Sequence, residues 1–311
     1  MRAFIFPGQG SQFVGMGEGI ANASIVAYST FQRIEEAIER SVFTIMTKGP
    51  AELLAMTEIA QPAIMANSIA TLRIITLEGG VNLSDTVDFV AGHSLGEYSA
   101  LCAAGAFDME TTAQLLQLRG KAMQAAVPPG QGAMAALLGA DVERASALCN
   151  AAAQGDVCAI ANDNDPSQVV ISGHKAAIER AAAMVKDCEI KRAVMLNVSA
   201  PFHCSLMQPA ADAMAAALAE NPPAAPLIPL YANVTAAPTS DPAAIAAQLV
   251  EQVTGRVRWR ESIAHMAAAG VTEFVEIGAK VLTPMVKRIA PDVNATSVVT
   301  MADIEALVMG L

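Results

Sequence analysis

The chain has 311 residues, 53% of them apolar and only 16% charged, and its 30 acids against 19 bases leave a net charge of −11. That balance is the opposite of the basic excess that general nucleic-acid binding needs. No apolar run approaches the ~20 residues that span a bilayer, the alanine-rich stretch 210–219 is broken by Asp212, and the apolar start is too short for a signal peptide, so the expectation is a compact cytoplasmic protein with no membrane segment.

Ala3-Phe4-Ile5-Phe6 reads as a buried strand, stopped by Pro7-Gly8-Gln9-Gly10-Ser11. Phe31, Ile34, Ile38 and Val42 recur at helical spacing and predict one helix over about 27–42. Gln61-Pro62 marks the start of another, with Ile64, Ile69, Leu72 and Ile75 on its buried stripe. Residues 87–92 form a strand that runs into a tight turn and the helix 95–104, and a longer helix covers about 109–126. This alternation predicts an α/β layered fold with a mostly parallel sheet. Val127-Pro128-Pro129-Gly130 is the clearest break. Beyond it the pattern predicts a strand over 133–138 and a helix over 141–153 capped by Asp141. Strands over 157–161 and 168–172 flank an Asn-Asp-Asn-Asp-Pro turn, and a helix over 175–186 leads to a strand over 192–196. That β-α-β-β-α-β order is the ferredoxin-like motif. The expected organisation is a large α/β-hydrolase-like domain, 1–127 and 199–311, with a small ferredoxin-like α+β domain, 128–198, inserted into it. The large domain's last strand is expected over 273–278.

The five cysteines (Cys102, Cys149, Cys158, Cys188 and Cys204) are odd in number and include no Cys-x-x-Cys pair. They support neither a disulfide framework nor a zinc site, and read as small core residues in a reducing compartment.

Gly92-His93-Ser94-Leu95-Gly96 fits G-x-S-x-G between a predicted strand and a predicted helix. The turn is sharp, and glycines at its flanks let neighbouring backbone pass close by. It would hold the Ser94 hydroxyl at the strand end and aim the Leu95 N–H where an oxyanion forms, at the positive end of a helix. A serine nucleophile needs a base, and the chain offers four histidines. His93 adjoins Ser94 and should point away from it as a turn or packing residue. His174 falls in a turn of the small domain, and His265 lies within a helix. His203 sits in the extended Ser199-Ala200-Pro201-Phe202-His203 segment where the chain re-enters the large domain, and placement favours it. An ordinary structural turn stays open as the other reading of the glycine–serine pattern.

Six stretches in order resemble the malonyl-CoA:acyl carrier protein transacylases of fatty-acid synthesis and the related acyltransferase domains of polyketide synthases. They are Phe6-Pro7-Gly8-Gln9-Gly10-Ser11-Gln12, Gly92–Glu97, Leu118-Arg119-Gly120, Asn162 with Gln168–Gly173, Ala200-Pro201-Phe202-His203, and Gln252 ahead of Val257-Arg258-Trp259. The resemblance covers nearly the whole chain. It implies Ser94 as nucleophile and His203 as its base, oriented by a backbone carbonyl near Gln252. It implies Gln9 and Leu95 as backbone oxyanion donors. Arg119 would clamp the free carboxylate of malonate, and Gln252, Asn162 and Phe202 would complete the substrate site, with Phe202 filling the space an α-methyl group needs. The implied partners are malonyl-CoA and an acyl carrier protein bearing phosphopantetheine, with no cofactor, no metal and a monomeric enzyme. Carrier proteins of this kind are acidic, so docking on this acidic chain requires a local basic patch, with Arg256, Arg258, Lys191, Lys280 and Lys287 as candidates. Three other readings compete: the acyltransferase subunit of a malonate decarboxylase, a serine esterase or thioesterase, and a non-catalytic scaffold.

Overall fold

A computed structural model describes all 311 residues. Its larger sheet has six strands: β1 (Arg2–Phe6), β2 (Phe89–Gly92), β7 (Leu230–Tyr231), β8 (Pro238–Thr239), β9 (Glu273–Ile277) and β10 (Asn294–Val298). They lie in the order β10-β9-β1-β2-β7-β8, parallel throughout except for the β7–β8 pair. Side chains of β1 alternate between two cores. Phe4 and Phe6 join a cluster of 59 buried residues, while Ala3 and Ile5 join Trp259, Ile263 and Phe274 on the opposite face. Burial on both faces explains why these strands read as continuous apolar runs.

The four remaining strands, β3 (Gly132–Leu138), β4 (Cys158–Asp165), β5 (Gln168–His174) and β6 (Arg192–Met195), make a second, antiparallel sheet in the order β4-β5-β3-β6. Helices Val142–Ala153 and Lys175–Ala183 pack on it. The chain is therefore mixed α/β with a mostly parallel main sheet. No helix is long and apolar enough to cross a membrane.

Three local expectations are corrected. The helix expected over 27–42 ends at Ile38, where Glu39 turns left-handed (φ 50), and Val42 opens a separate helix, Val42–Lys48. The helix expected to start at Gln61-Pro62 begins at Thr57 and runs to Arg73 with Pro62 inside it. An interior proline removes one backbone bond and costs about 3 kcal/mol. Packing overrides it here, because 15 of the 17 helix residues are buried. Finally, Asn162, Asp163, Asn164 and Asp165 are not a turn. They are the buried end of β4, with two register irregularities.

That end of β4 joins the small sheet to the rest. Asp163 N–H donates to the Val257 carbonyl (2.9 Å) and Val257 N–H to the Ala161 carbonyl (2.8 Å). Arg260 meets both oxygens of Asp163 at 3.0 Å, and Arg288 reaches Asp165 at 2.7 Å. Four polar residues that look like a surface turn in sequence are thus buried, with Val257, Arg260 and Arg288 among their partners.

Candidate active site

The site forms where β1, β2 and β7 end, the usual position for a ligand on a parallel sheet. Phe6 lies opposite Gly92, so the Pro7–Gly10 turn and the Ser94 turn leave the sheet side by side. A Cβ on Gly92 would stand 1.9 Å from the Gly96 backbone, and one on Gly96 would stand 2.3 Å from the Phe6 carbonyl oxygen. Only glycine allows strand, turn and helix (Gly96–Ala103) to fold back so tightly. Ser94 takes the left-handed conformation (φ 55) that lifts its hydroxyl off the sheet. Asn233, just beyond β7, braces the turn. Its Nδ2 donates to the Gly92 carbonyl (2.7 Å) and its Oδ1 accepts the Ser94 N–H (2.8 Å).

His203 also has a left-handed backbone (φ 59). Its Nδ1 lies 2.8 Å from the Gln252 carbonyl oxygen, on the helix Pro242–Thr254. A carbonyl only accepts, so Nδ1 carries the proton and Nε2 is left bare, 2.8 Å from Ser94 Oγ. Burial, reinforced by the Arg119 charge, pushes the His203 imidazole down to about 3. It is therefore neutral at pH 7 and free to accept the serine proton. The N–H groups of Gln9 and Leu95 have no hydrogen-bond partner in the protein, and Leu95 N-caps the helix after the serine.

Arg119 comes from the helix Met109–Ala125 and is 1% exposed. Gly120 explains its placement, since a Cβ there would lie 2.6 Å from the Glu58 Cα, so the helices of Arg119 and Gln61 touch backbone to backbone. Arg119 donates to Gln61 Oε1 (2.8 Å), Gln252 Oε1 (2.7 Å) and Ser94 Oγ (3.3 Å). It forms no ion pair, and its Nε has no partner. A buried guanidinium without a carboxylate is unusual.

A cavity of about 330 Å³ opens onto these groups. Gln9, Ser94, Leu95 and Arg119 line it from the side of the main sheet, and Met134, Asn162 and Leu196 from the side of the antiparallel sheet. Phe202 and His203 line it too. Gln252, expected at the substrate, does not line the cavity. It is fully buried behind the wall, holding His203 through its backbone and Arg119 through its side chain. His93 turns its Nε2 to Asn164 Oδ1 (2.9 Å) and stacks edge-on against Trp259, although its ring still borders the cavity.

The expected basic patch is altered as well. Arg256 and Arg258 share the Glu261 carboxylate, which offsets one of their two positive charges. Lys191, Lys280 and Lys287 are exposed and make no ion pair. Four buried contributors escaped the sequence reading: Gln61, Glu97, Asn164 and Asn233. The available signal was strongest for Glu97, an acid opening an otherwise apolar helix three residues after the serine. Glu97 accepts from Gln252 Nε2 and from Asn233 N–H (3.3 Å). Burial pushes its carboxyl up to about 8, opposed by those two bonds and by Arg119.

The acyl transferase domain family matches residues 3–302. The chain belongs to the acyl transferase family. Among acyl transferases, it is 43% identical over 296 residues to the malonyl CoA-acyl carrier protein transacylase of Escherichia coli (strain K12), covering 95% of this chain and 94% of that one. The Bacillus subtilis (strain 168) enzyme of the same name is 42% identical over 289 residues, covering 92% and 90%. The crystal structure of an acyl-carrier-protein-S-malonyltransferase from Bartonella henselae superposes with a TM-score of 0.97 at 49% identity, covering 100% and 99%. A malonyl-transacylase solved in complex with a type II PKS acyl-carrier protein gives 0.95 at 39% identity, covering 100% and 99%.

Proposed function

We propose that this acyl transferase moves a malonyl group from malonyl-CoA to the phosphopantetheine thiol of an acyl carrier protein, through a malonyl ester on Ser94. The observation that carries the reading is Arg119, a buried cation with no carboxylate of its own, 3.3 Å from the nucleophile. A ligand bearing a carboxylate near its reacting carbonyl would supply the missing charge, and malonyl thioester has that form. Relatives named as malonyl transacylases support the same choice.

His203 Nε2 takes the Ser94 proton as Oγ attacks the thioester carbonyl. The unpaired N–H groups of Gln9 and Leu95 receive the developing oxyanion, and losing one such donor costs about 10²–10³ in rate. Collapse expels the CoA sulfur, which recovers the proton from His203. In the second half the carrier thiol gives His203 its proton, attacks the ester carbonyl, and Ser94 leaves with the proton returned. A neutral carbonyl behind His203 suffices, because thioester and ester are close in energy and the thiolate leaves readily. The reading calls on no cofactor. Phe202 and Asn162 on the cavity wall fit the substrate-contacting roles, with Phe202 set against an α-methyl branch.

The β-α-β-β-α-β order and the β4-β5-β3-β6 arrangement support treating residues 128–198 as a ferredoxin-like insertion in the domain formed by 1–127 and 199–311. Five free thiols suit a reducing cytoplasm. With Arg256 and Arg258 partly neutralised, Lys191, Lys280 and Lys287 are the better candidates for drawing an acidic carrier to a monomeric enzyme.

The test is mass spectrometry of the protein after malonyl-CoA, then after holo carrier protein. A malonyl adduct on Ser94 that the carrier discharges is expected. No adduct, or an adduct lost to water as fast as to the carrier, overturns the reading. In Arg119→Ala the malonyl-to-acetyl loading ratio is expected to fall roughly 30-fold, the worth of a charged hydrogen bond of about 2 kcal/mol. An unchanged ratio removes Arg119 as the carboxylate clamp.

A further inference from the structure

Glu97 takes no part in the steps above, yet it is 1% exposed and lies two positions after Leu95 of the cavity wall in the chain. It does not touch His203, whose Nδ1 is committed to the Gln252 carbonyl. What it touches is the Gln252 side chain. The Gln252 amide nitrogen donates to Glu97 Oε2 and to the Ser94 carbonyl (2.9 Å), and its oxygen accepts from Arg119 Nη2 (2.7 Å). The Ser94 carbonyl and the Glu97 oxygen facing the amide accept, and a guanidinium only donates. Set between them, a primary amide has one satisfiable orientation, with nitrogen toward Glu97 and oxygen toward Arg119. The acid and the cation are thereby linked but kept one amide apart. A direct Glu97–Arg119 ion pair would occupy the same donors that an incoming carboxylate needs.

We propose that Glu97 is a positioning residue for acyl selection: by fixing the Gln252 amide it orients Arg119 toward the cavity while leaving the guanidinium unpaired for the carboxylate of the substrate. The inference rests on malonyl transfer as the reaction. It separates two functions carried by one residue. The Gln252 backbone, fixed by its helix, serves His203, and the Gln252 side chain, fixed by Glu97, serves Arg119.

Glu97→Gln tests it, because the variant keeps the shape but leaves one acceptor oxygen for two donors, Gln252 Nε2 and Asn233 N–H. Two rates are measured on each sample, malonyl loading of Ser94 from malonyl-CoA and labelling of Ser94 by a fluorophosphonate, which needs the serine–histidine pair but carries no carboxylate for Arg119. The malonyl rate divided by the labelling rate is expected to fall about tenfold or more, the scale of one charge-assisted hydrogen bond. If Glu97 only supports the fold, both rates drop together and the quotient is unchanged, which overturns the proposal. Should Glu97→Gln not fold, Glu97→Asp keeps the carboxyl group and shortens the reach by one methylene. The same drop in the quotient is then expected, and a parental quotient overturns the proposal. Failure of the parent protein to load malonate on Ser94 would sink the underlying reaction instead, so the two failures are distinguishable.

Discussion

His203 is held neutral by burial and by a neighbouring cation, and that has measurable consequences. Its pKa lies near 3 in the folded protein against an ordinary value of about 6.5 when unfolded. The base form therefore persists at every pH above that low value. Serine loading is expected to show no acid limb near pH 6.5, and kcat/KM for malonyl-CoA should stay level between about pH 5 and 8 as far as this group decides it. A limb centred at 6.5 would contradict the buried, neutral imidazole. The stability consequence has a definite sign. Between the two pKa values the unfolded chain binds the extra proton, so this group lowers stability as pH falls below about 6.5. Ser94 and His203 were legible in sequence because a turn motif and a short count of histidines point to them. Glu97, Gln61 and Asn233 were not. Their partners stand 155, 58 and 139 residues away, and only the fold brings them within bonding distance.

At the level of elements, the contact between Thr57–Arg73 and Met109–Ala125 decides where the arginine sits. Gly120 permits that contact, with Glu58 Cα only 2.6 Å from where its Cβ would be. Gly120→Ala is expected to force the helices apart at a cost of about 1–3 kcal/mol and to disturb malonyl loading more than acetyl loading. Thermal melts read the first and the loading ratio reads the second. A variant with parental Tm and ratio would contradict the close packing. The same pair of helices marks where local sequence reasoning fails. Pro62 looks like a helix start because an isolated helix rarely tolerates interior proline, whereas here nearly the whole helix is enclosed and tertiary packing outweighs the local preference. The 162–165 segment fails for the complementary reason. Asn and Asp favour turns in isolation, but Arg260, Arg288 and His93 give three of these buried side chains partners. Over residues 87–196 the order of strands and helices was legible, since apolar periodicity depends on neighbours in the chain, whereas the short strands β7 and β8 and the edge strand β10 carry too little pattern to be read.

Across the whole molecule, the two sheets meet at a seam that carries the cavity. Asp163 and Asp165 are enclosed there, while the arginines that bind them reach out toward solvent. The Arg288 guanidinium and the Ser167 bonds hold the Asp165 carboxyl below its ordinary value against the opposing effect of burial. Its contribution to stability is present above about pH 4 and is lost as pH falls through that lowered value. Arg288→Ala leaves a buried carboxylate unpaired. Because the arginine is half exposed, the expected loss is about 1–2 kcal/mol rather than the larger cost of a fully enclosed pair. A lowered Tm at pH 7 that converges on the parent in acid is the expected pattern, and a constant offset would assign the effect elsewhere.

The polar fasteners of the seam lie along one border, while Met134, Ala136 and Val170 pack into the large core. β4 carries the cross-links, and β6 is the opposite, free edge of the small sheet. From β6 the backbone continues through Leu196, on the cavity wall, to His203 seven residues later. Wall and base thus hang on one strand of chain, like a gauge wired to a trigger. An acyl group too bulky for the cavity is expected to press on the stretch that carries His203, and a lowered kcat beside a raised KM for a branched acyl-CoA is the outcome that checks it.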